Sequence, residues 1–208
     1  MSARARSTTG PDASLPPVVG VVVLAAGASR RLPGPKQLLR VHGVTLVRRA
    51  AETAVEVACG PVVVVLGAAA PQIRSELADL DVRVVENRHA AKGLSTTVRA
   101  GLTALCAAGE PDAALFMTCD QPLLTAELLR SIVAAHAATR PRAVACEYAG
   151  TVGVPALFSR SLFEELLTLE GDVGAKQVLQ RHASEVVRVP FEPGSLDIDT
   201  PEDAGRLR

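Results

Sequence analysis

The chain has 208 residues, of which 48% are hydrophobic and only 2% aromatic, and its formal net charge is +0. That length suffices for one large domain whose core must be built from Ala, Val and Leu. The charge balance argues against a nucleic-acid-coating protein, which would be basic, and confines any phosphate site to a local cluster of charge. No run approaches the roughly 18–20 apolar residues of a membrane span.

Residues 1–17 are rich in Ser, Thr, Ala and Pro, with two arginines and no apolar h-region. They read as a disordered leader rather than a signal peptide. Residues 18–208 show no repeat, linker or compositional break and read as a single domain. Val18 to Leu24 is an apolar, β-branched run suited to a strand buried on both faces. The loop that follows is small, glycine-bearing and cationic. Gly27 and Gly34 let the backbone turn, and Arg30, Arg31 and Lys36 share the loop with no acid among them. Exposed N–H groups and cations beyond a strand's carboxyl end suit phosphate. The same residues also fit a plain surface βα loop with solvated cations. Neither G-x-G-x-x-G nor G-x-x-x-x-G-K-[ST] is present, Pro35 separating Gly34 from Lys36.

After a turn at Val41-His42-Gly43, Thr45 is positioned to cap a helix with Val47, Ala51, Ala54, Val55 and Ala58 on one face. Gly60-Pro61 ends it. Strands are expected at Val62–Leu66, Val82–Val85, Ala113–Thr118, Ala143–Tyr148 and Glu185–Val189. Helices are expected around Pro71–Leu80, Leu94–Ala107 (stripe Val98, Leu102, Leu105, Cys106), Thr125–His136, Ser159–Leu167 and Gly174–His182. Gly150 to Phe158 reads as a loop or hairpin. Alternating strands and helices predict an α/β fold: three layers, a mostly parallel sheet with helices on both faces, and ligands beyond the carboxyl ends of the strands.

Cys59, Cys106, Cys119 and Cys146 form no C-x-x-C, which disfavours zinc and a redox pair. Each sits in or beside an apolar run, as small buried cysteines do, and a reducing cytoplasm is the natural compartment. The histidines at 42, 89, 136 and 182 are too scattered to suggest a metal cluster.

Two acidic clusters remain. Asp120, in Cys119-Asp120-Gln121-Pro122, follows a buried strand. It either faces the ligand crevice or makes an Asx-turn before Pro122. In Leu196-Asp197-Ile198-Asp199-Thr200-Pro201-Glu202-Asp203 a helix start explains Glu202 and Asp203 but leaves Asp197 and Asp199 unexplained. Two carboxylates from distant strand ends facing a cationic loop suggest Mg²⁺, which uses one or two carboxylates plus substrate phosphates. Lys92-Gly93-Leu94-Ser95-Thr96 opens a helix. Ser95 or Thr96 is an N-cap, or the free N–H groups and hydroxyls read a base or phosphate.

L-A-A-G-x-S-x-R followed by P-K-Q-L-L resembles the opening signature of the molybdenum cofactor cytidylyl/guanylyltransferases, a Rossmann-like nucleotidyltransferase group. G-L-S-T-T-V-R-A-G-L, C-D-Q-P, G-V-P-A-L-F, G-D-V-G-A-K and D-I-D-T-P-E-D follow in order over residues 18–208. The resemblance is nearest to the cytidylyltransferase-like subgroup. It implies Mg²⁺-dependent transfer of a nucleotidyl group from an NTP, CTP being favoured, to a phosphorylated acceptor such as the molybdopterin cofactor, with pyrophosphate released. Leu24, Ala25, Ala26, Gly27 and Ser29 would hold the nucleotide, with Arg31 and Lys36 on its triphosphate and Gly93, Ser95 and Thr96 near base and ribose. Arg31, Lys36 and Asp120 would be the catalytic set. Asp120 and Asp199 would ligate the metal. Gly153, Pro155, Gly171, Asp172 and Gly174 would line the acceptor site.

Ala25-Ala26 stands where guanylyltransferases tend to carry a glycine, and the extra methyl is expected to narrow the base pocket. Two positions depart from the family pattern: Pro33 in the cationic loop, and Lys176 where arginine is common. The alternatives are a guanylyltransferase, a transferase for another phosphorylated acceptor, or a non-catalytic nucleotide- or cofactor-binding chaperone. A molybdoenzyme or its chaperone is the implied protein partner, with neither nucleic acid nor membrane. The missing dinucleotide fingerprint disfavours a dehydrogenase.

Overall fold

The computed structural model describes residues 16–28, 32, 34–57, 60–198, 200 and 203. Its centre is a seven-stranded sheet. β1 (Val19–Ala25) is followed by a small hairpin of β2 (Arg40–Val41) and β3 (Val44–Thr45), then by helix α1 (Leu46–Val57) and β4 (Val62–Leu66). Helix α2 (Ala70–Ile73) continues as a 3-10 turn and leads to β5 (Arg83–Glu86). Helix α3 (Leu94–Ala108), β6 (Ala113–Thr118), helix α4 (Ala126–Thr139), β7 (Ala143–Tyr148) and β8 (Thr151–Ser159) come next. Helices α5 (Phe163–Leu167) and α6 (Lys176–Arg181) and strand β9 (Val186–Pro190) complete the main elements. The strand order is β5-β4-β1-β6-β8-β7-β9. Only β8 runs against its neighbours, β6 and β7, so the sheet is mostly parallel, as the strand–helix alternation predicts.

The run in β1 is apolar throughout because both its faces are covered. Val19, Val21, Val23 and Ala25 face one core with α1 and α4, whereas Val22 and Leu24 face the other with α3, α5 and α6. The result is three layers. Among the described residues no helix is long and apolar enough to cross a membrane.

Four local expectations change. Thr45, expected as a helix cap, lies in β3, and its hydroxyl donates to Glu76 Oε2 at 2.8 Å. The helix expected over Pro71–Leu80 is a short α-helix that tightens into 3-10 geometry. Cys106 is exposed, because it lies one residue past the buried Leu105 on α3, whereas Cys119 and Cys146 are buried. The segment expected as a loop or hairpin is the full strand β8. Its pairing with β7 skips two residues, since Ala145 faces Ala156 while Cys146 faces Gly153. Pro155 sits in that bulge, where a proline does not break the ladder.

Candidate active site at the switch between two strands

The chain lays down β1, β4 and β5 outward in one direction, then returns to place β6 on the other side of β1. The loops after β1 and β6 therefore diverge from neighbouring parallel strands, with Leu24 beside Thr118. That divergence opens a crevice at the carboxyl edge. Lys36 begins a 3-10 turn (Lys36–Leu38) after β1, and Asp120 lies two residues past β6. The two meet across the crevice, with Nζ 2.5 Å from Oδ2. Their side chains are 17% and 18% exposed, so the pair is neither solvated away nor sealed in the core.

Gln37 supports this loop from below. It is 2% exposed, and its amide Nε2 donates to the carbonyls of Ala25 at 2.8 Å and Gly27 at 2.9 Å. One side chain thus ties the end of β1 to the turn that carries Lys36. Leu24, Ala25 and Ala26 are buried, and only their backbones can meet a ligand, whereas Gly27 is exposed. The methyl expected to narrow the base pocket instead packs into the α3 side of the core. Ser29, Arg31 and Asp199 lie outside the described residues. The Ile198 N–H donates to the Asp120 carbonyl at 2.9 Å, and Ile198 is fully buried. The Asp203 N–H donates to the Thr200 hydroxyl at 3.2 Å, the bond that a cap at Thr200 would make.

Beside Asp120, the Gln121 amide donates to the carbonyls of Gly194 at 2.9 Å and Val154 at 3.3 Å. The hydroxyl of Tyr148, the only tyrosine in the chain, donates to the same Val154 carbonyl at 3.0 Å. The β8 segment with Gly153 and Pro155 is thereby fastened to the Asp120 loop. Burial pushes the Tyr148 hydroxyl above its ordinary pKa. Burial, reinforced by the Asp120 charge, pushes the Cys119 thiol up to about 12, so it stays protonated and supplies no nucleophile.

The second group of expected site residues is assembled by backbone. Helix α3 starts at Leu94, with Gly93 preceding it at φ +119° and no side chain capping it. Ser95 and Thr96 lie inside the first turn and are not caps. The Leu94 N–H donates to Asp172 Oδ1 at 3.3 Å, and the Ser95 N–H donates to the Gly171 carbonyl at 3.4 Å. A Cβ at Gly93 would run into that carbonyl. The loop between α5 and α6, expected at the acceptor, therefore docks on the helix start expected at the nucleotide. Gly174 packs against Leu94 in the same contact. Asn87 donates to the hydroxyls of Thr96 at 2.9 Å and Thr97 at 3.1 Å, while the Ser95 hydroxyl is buried with no partner among the described residues.

Sequence reasoning singled out Lys36, Asp120 and the loop glycines by charge and pattern. It passed over Gln37, Asn87, Gln121 and Tyr148. The adjacency of Gln37 to Lys36 and that of Gln121 to Asp120 were the available hints.

A mostly parallel sheet with a cation and a carboxylate paired at its switch point belongs to the nucleotide-handling α/β class. Within that class the chain belongs to the family described as the MobA-like NTP transferase domain, whose model matches residues 21–186. A relative named nicotine blue oxidoreductase, from Paenarthrobacter nicotinovorans, is 32% identical over 208 residues, covering 94% of this chain and 98% of its own. The structure of an Rv0371c homologue from Mycobacterium sp. strain JC1 is 32% identical, covers 93% of this chain and 96% of its own, and superposes with a TM-score of 0.79. A manganese complex of Rv0371c from Mycobacterium tuberculosis H37Rv is 29% identical over 92% of this chain and 97% of its own, with a TM-score of 0.73.

Proposed function

We propose that the protein transfers a nucleotidyl group from an NTP, with CTP favoured, to a phosphorylated acceptor of the molybdopterin type, releasing pyrophosphate. The observation that carries this reading is the Lys36–Asp120 contact across the β1/β6 switch point. An ionised phosphate oxygen on the acceptor needs no general base to attack the α-phosphorus, so alignment and charge neutralisation make up most of the catalysis. Lys36 leaves Asp120 for the triphosphate and compensates the charge that builds on the departing pyrophosphate. Gln37 holds the backbone of Ala25 and Gly27 in place for the nucleotide. Ser95 and Thr96, with the N-terminal end of α3, lie near base and ribose. Gly153, Pro155, Gly171, Asp172 and Gly174 border the acceptor. Ser29 and Arg31 would join the nucleotide, and Asp199 the metal.

Asp120 suits a divalent cation: it is a partly buried carboxylate that already carries a positive group. Among the described residues no cluster of three or more ligating side chains could hold a metal. A single such carboxylate fits an ion bound by one or two carboxylates together with triphosphate oxygens, the habit of Mg²⁺, and the manganese complex of Rv0371c agrees with a divalent ion. When bound, the ion supplies Lewis-acid neutralisation of the phosphate oxygens. The CTP preference rests on the motif resemblance. Because the Ala26 methyl is in the core, Ala26→Gly is expected to leave the CTP/GTP choice unchanged.

An oxidoreductase is the second reading, favoured by the relative named nicotine blue oxidoreductase. The missing G-x-G-x-x-G counts against it. The test runs both activities on one preparation. Pyrophosphate release is followed with CTP or GTP, Mg²⁺ and molybdopterin cofactor, and NAD(P)H oxidation with a dye acceptor. Release of pyrophosphate that needs the acceptor supports the proposal. NAD(P)H turnover without pyrophosphate replaces it with the second reading.

A further inference from the structure

A second feature lies outside the Lys36–Asp120 crevice. Strand β5 is an edge of the sheet, paired only with β4. Between it and α3 runs a groove of about 600 Å³. Arg83, His89, Lys92 and Arg99 line it, and no acidic side chain does. Its apolar lining is Val85 with Ala100, Ala104 and Ala107. The helix contributes residues at three- and four-residue spacing, one face of α3, and the strand contributes alternate residues, one face of β5.

Three of these cations meet no carboxylate among the described residues. Elsewhere Arg40, Arg48, Arg88, Arg130, Arg142 and Arg188 each meet a carboxylate. Arg83, Lys92 and Arg99 make no ion pair or side-chain hydrogen bond among the described residues. The chain is neutral overall, so this is a local concentration of positive charge and not a general surface property.

We infer that this groove binds an extended acidic segment of a partner protein, which adds as a further strand along β5 beneath α3. A strand edge offers main-chain groups to another chain, and β-addition uses them for affinity while alternate side chains set specificity. Side chains of an added strand that point toward α3 would lie over Ala100 and Ala104, and acidic ones would reach Arg83, Arg99 and Lys92. Single-stranded nucleic acid fits less well, since no Phe, Tyr or Trp lines the groove for bases to stack on.

The test is fluorescence anisotropy of the full chain with a fluorescein-labelled peptide alternating Glu and Val. Saturable binding is expected, together with a loss of about tenfold or more in the double variant Arg83→Glu/Arg99→Glu, since two charge pairs become repulsive. The same peptide N-methylated at alternate residues should bind at least about tenfold more weakly, because strand pairing needs its N–H groups. If the charge reversal lowers the melting temperature, Arg83→Gln/Arg99→Gln replaces it with a smaller expected loss. Equal binding of a Lys/Val peptide, an unchanged affinity in the charge variants, undiminished binding of the N-methylated peptide, or tighter binding of a single-stranded oligonucleotide would each overturn the inference.

Discussion

The two halves of the candidate site are held by different means. On the β1/β6 side the geometry depends on side chains: Lys36 on Asp120, Gln37 on two carbonyls, Gln121 on two more. On the α3 side it depends mostly on main chain, with the N–H groups of Leu94 and Ser95 satisfied by the Gly171–Asp172 loop, and Gly93 free of a Cβ that would keep the two apart. A charge-bearing half built from side chains can lose its chemistry without losing its fold. A backbone-built half couples binding to folding.

The largest expected effect tests the first half. Lys36→Ala should lower kcat/KM for nucleotidyl transfer by about 3 kcal/mol, the scale of one lost preorganised electrostatic donor. Its stability should fall far less than its turnover, because both side chains of the ion pair it breaks still reach solvent at the crevice. A large fall in stability with turnover intact would reverse the assignment of that half.

Gly93→Ala should do the opposite. The left-handed φ and the clash with the Gly171 carbonyl together should cost about 2 kcal/mol in urea unfolding, and nucleotide affinity should fall with it. Unchanged stability would show that the α5–α6 loop is not docked as described. Gln37→Leu sharpens the contrast. It keeps the volume but strands two carbonyls, so a loss of about 1–2 kcal/mol in stability is expected, with a rise in KM for the nucleotide larger than the fall in kcat.

The smallest effect concerns pH. Glu165 on α5 bonds His182 Nε2 at 2.7 Å and Arg181 at 3.0 Å, joining the helices that carry the Gly171–Gly174 loop. Burial alone would raise its pKa, but the hydrogen bonds from His182 and Arg181 and their charges hold it below the usual 4.5. A carboxylate with a lowered folded-state pKa contributes stability above its unfolded value and loses it as pH falls through the folded one. The melting temperature of wild type minus that of Glu165→Gln should therefore shrink as pH falls below 4.5. A difference that does not change with pH would remove this tie from the account.

The contrast also explains what could be read in advance. Lys36 and Asp120 were legible because charge beside an apolar strand is rare and its place at a strand's end has a chemical meaning. Gln37 was not, because its amide bonds backward to carbonyls ten and twelve residues away, which no local spacing encodes. The start of α3 at Leu94 was legible but its cap was not, because the serine and threonine suggested caps, whereas a distant loop satisfies the free N–H groups. β8 was legible only as a loop or hairpin because Gly153 and Pro155 interrupt its pattern, and only the bulge against β7 shows how a strand accommodates them. The three-layer order itself followed from alternating apolar runs and helical stripes, which report burial directly.

The most direct test of the Lys36–Asp120 crevice is calorimetric titration of CTP into wild type and Asp120→Asn, each with and without Mg²⁺. The account predicts that Mg²⁺ tightens CTP binding to wild type at least about tenfold and has little effect in Asp120→Asn, since the variant lacks the carboxylate that anchors the ion. The same metal-dependent tightening in both proteins would contradict it.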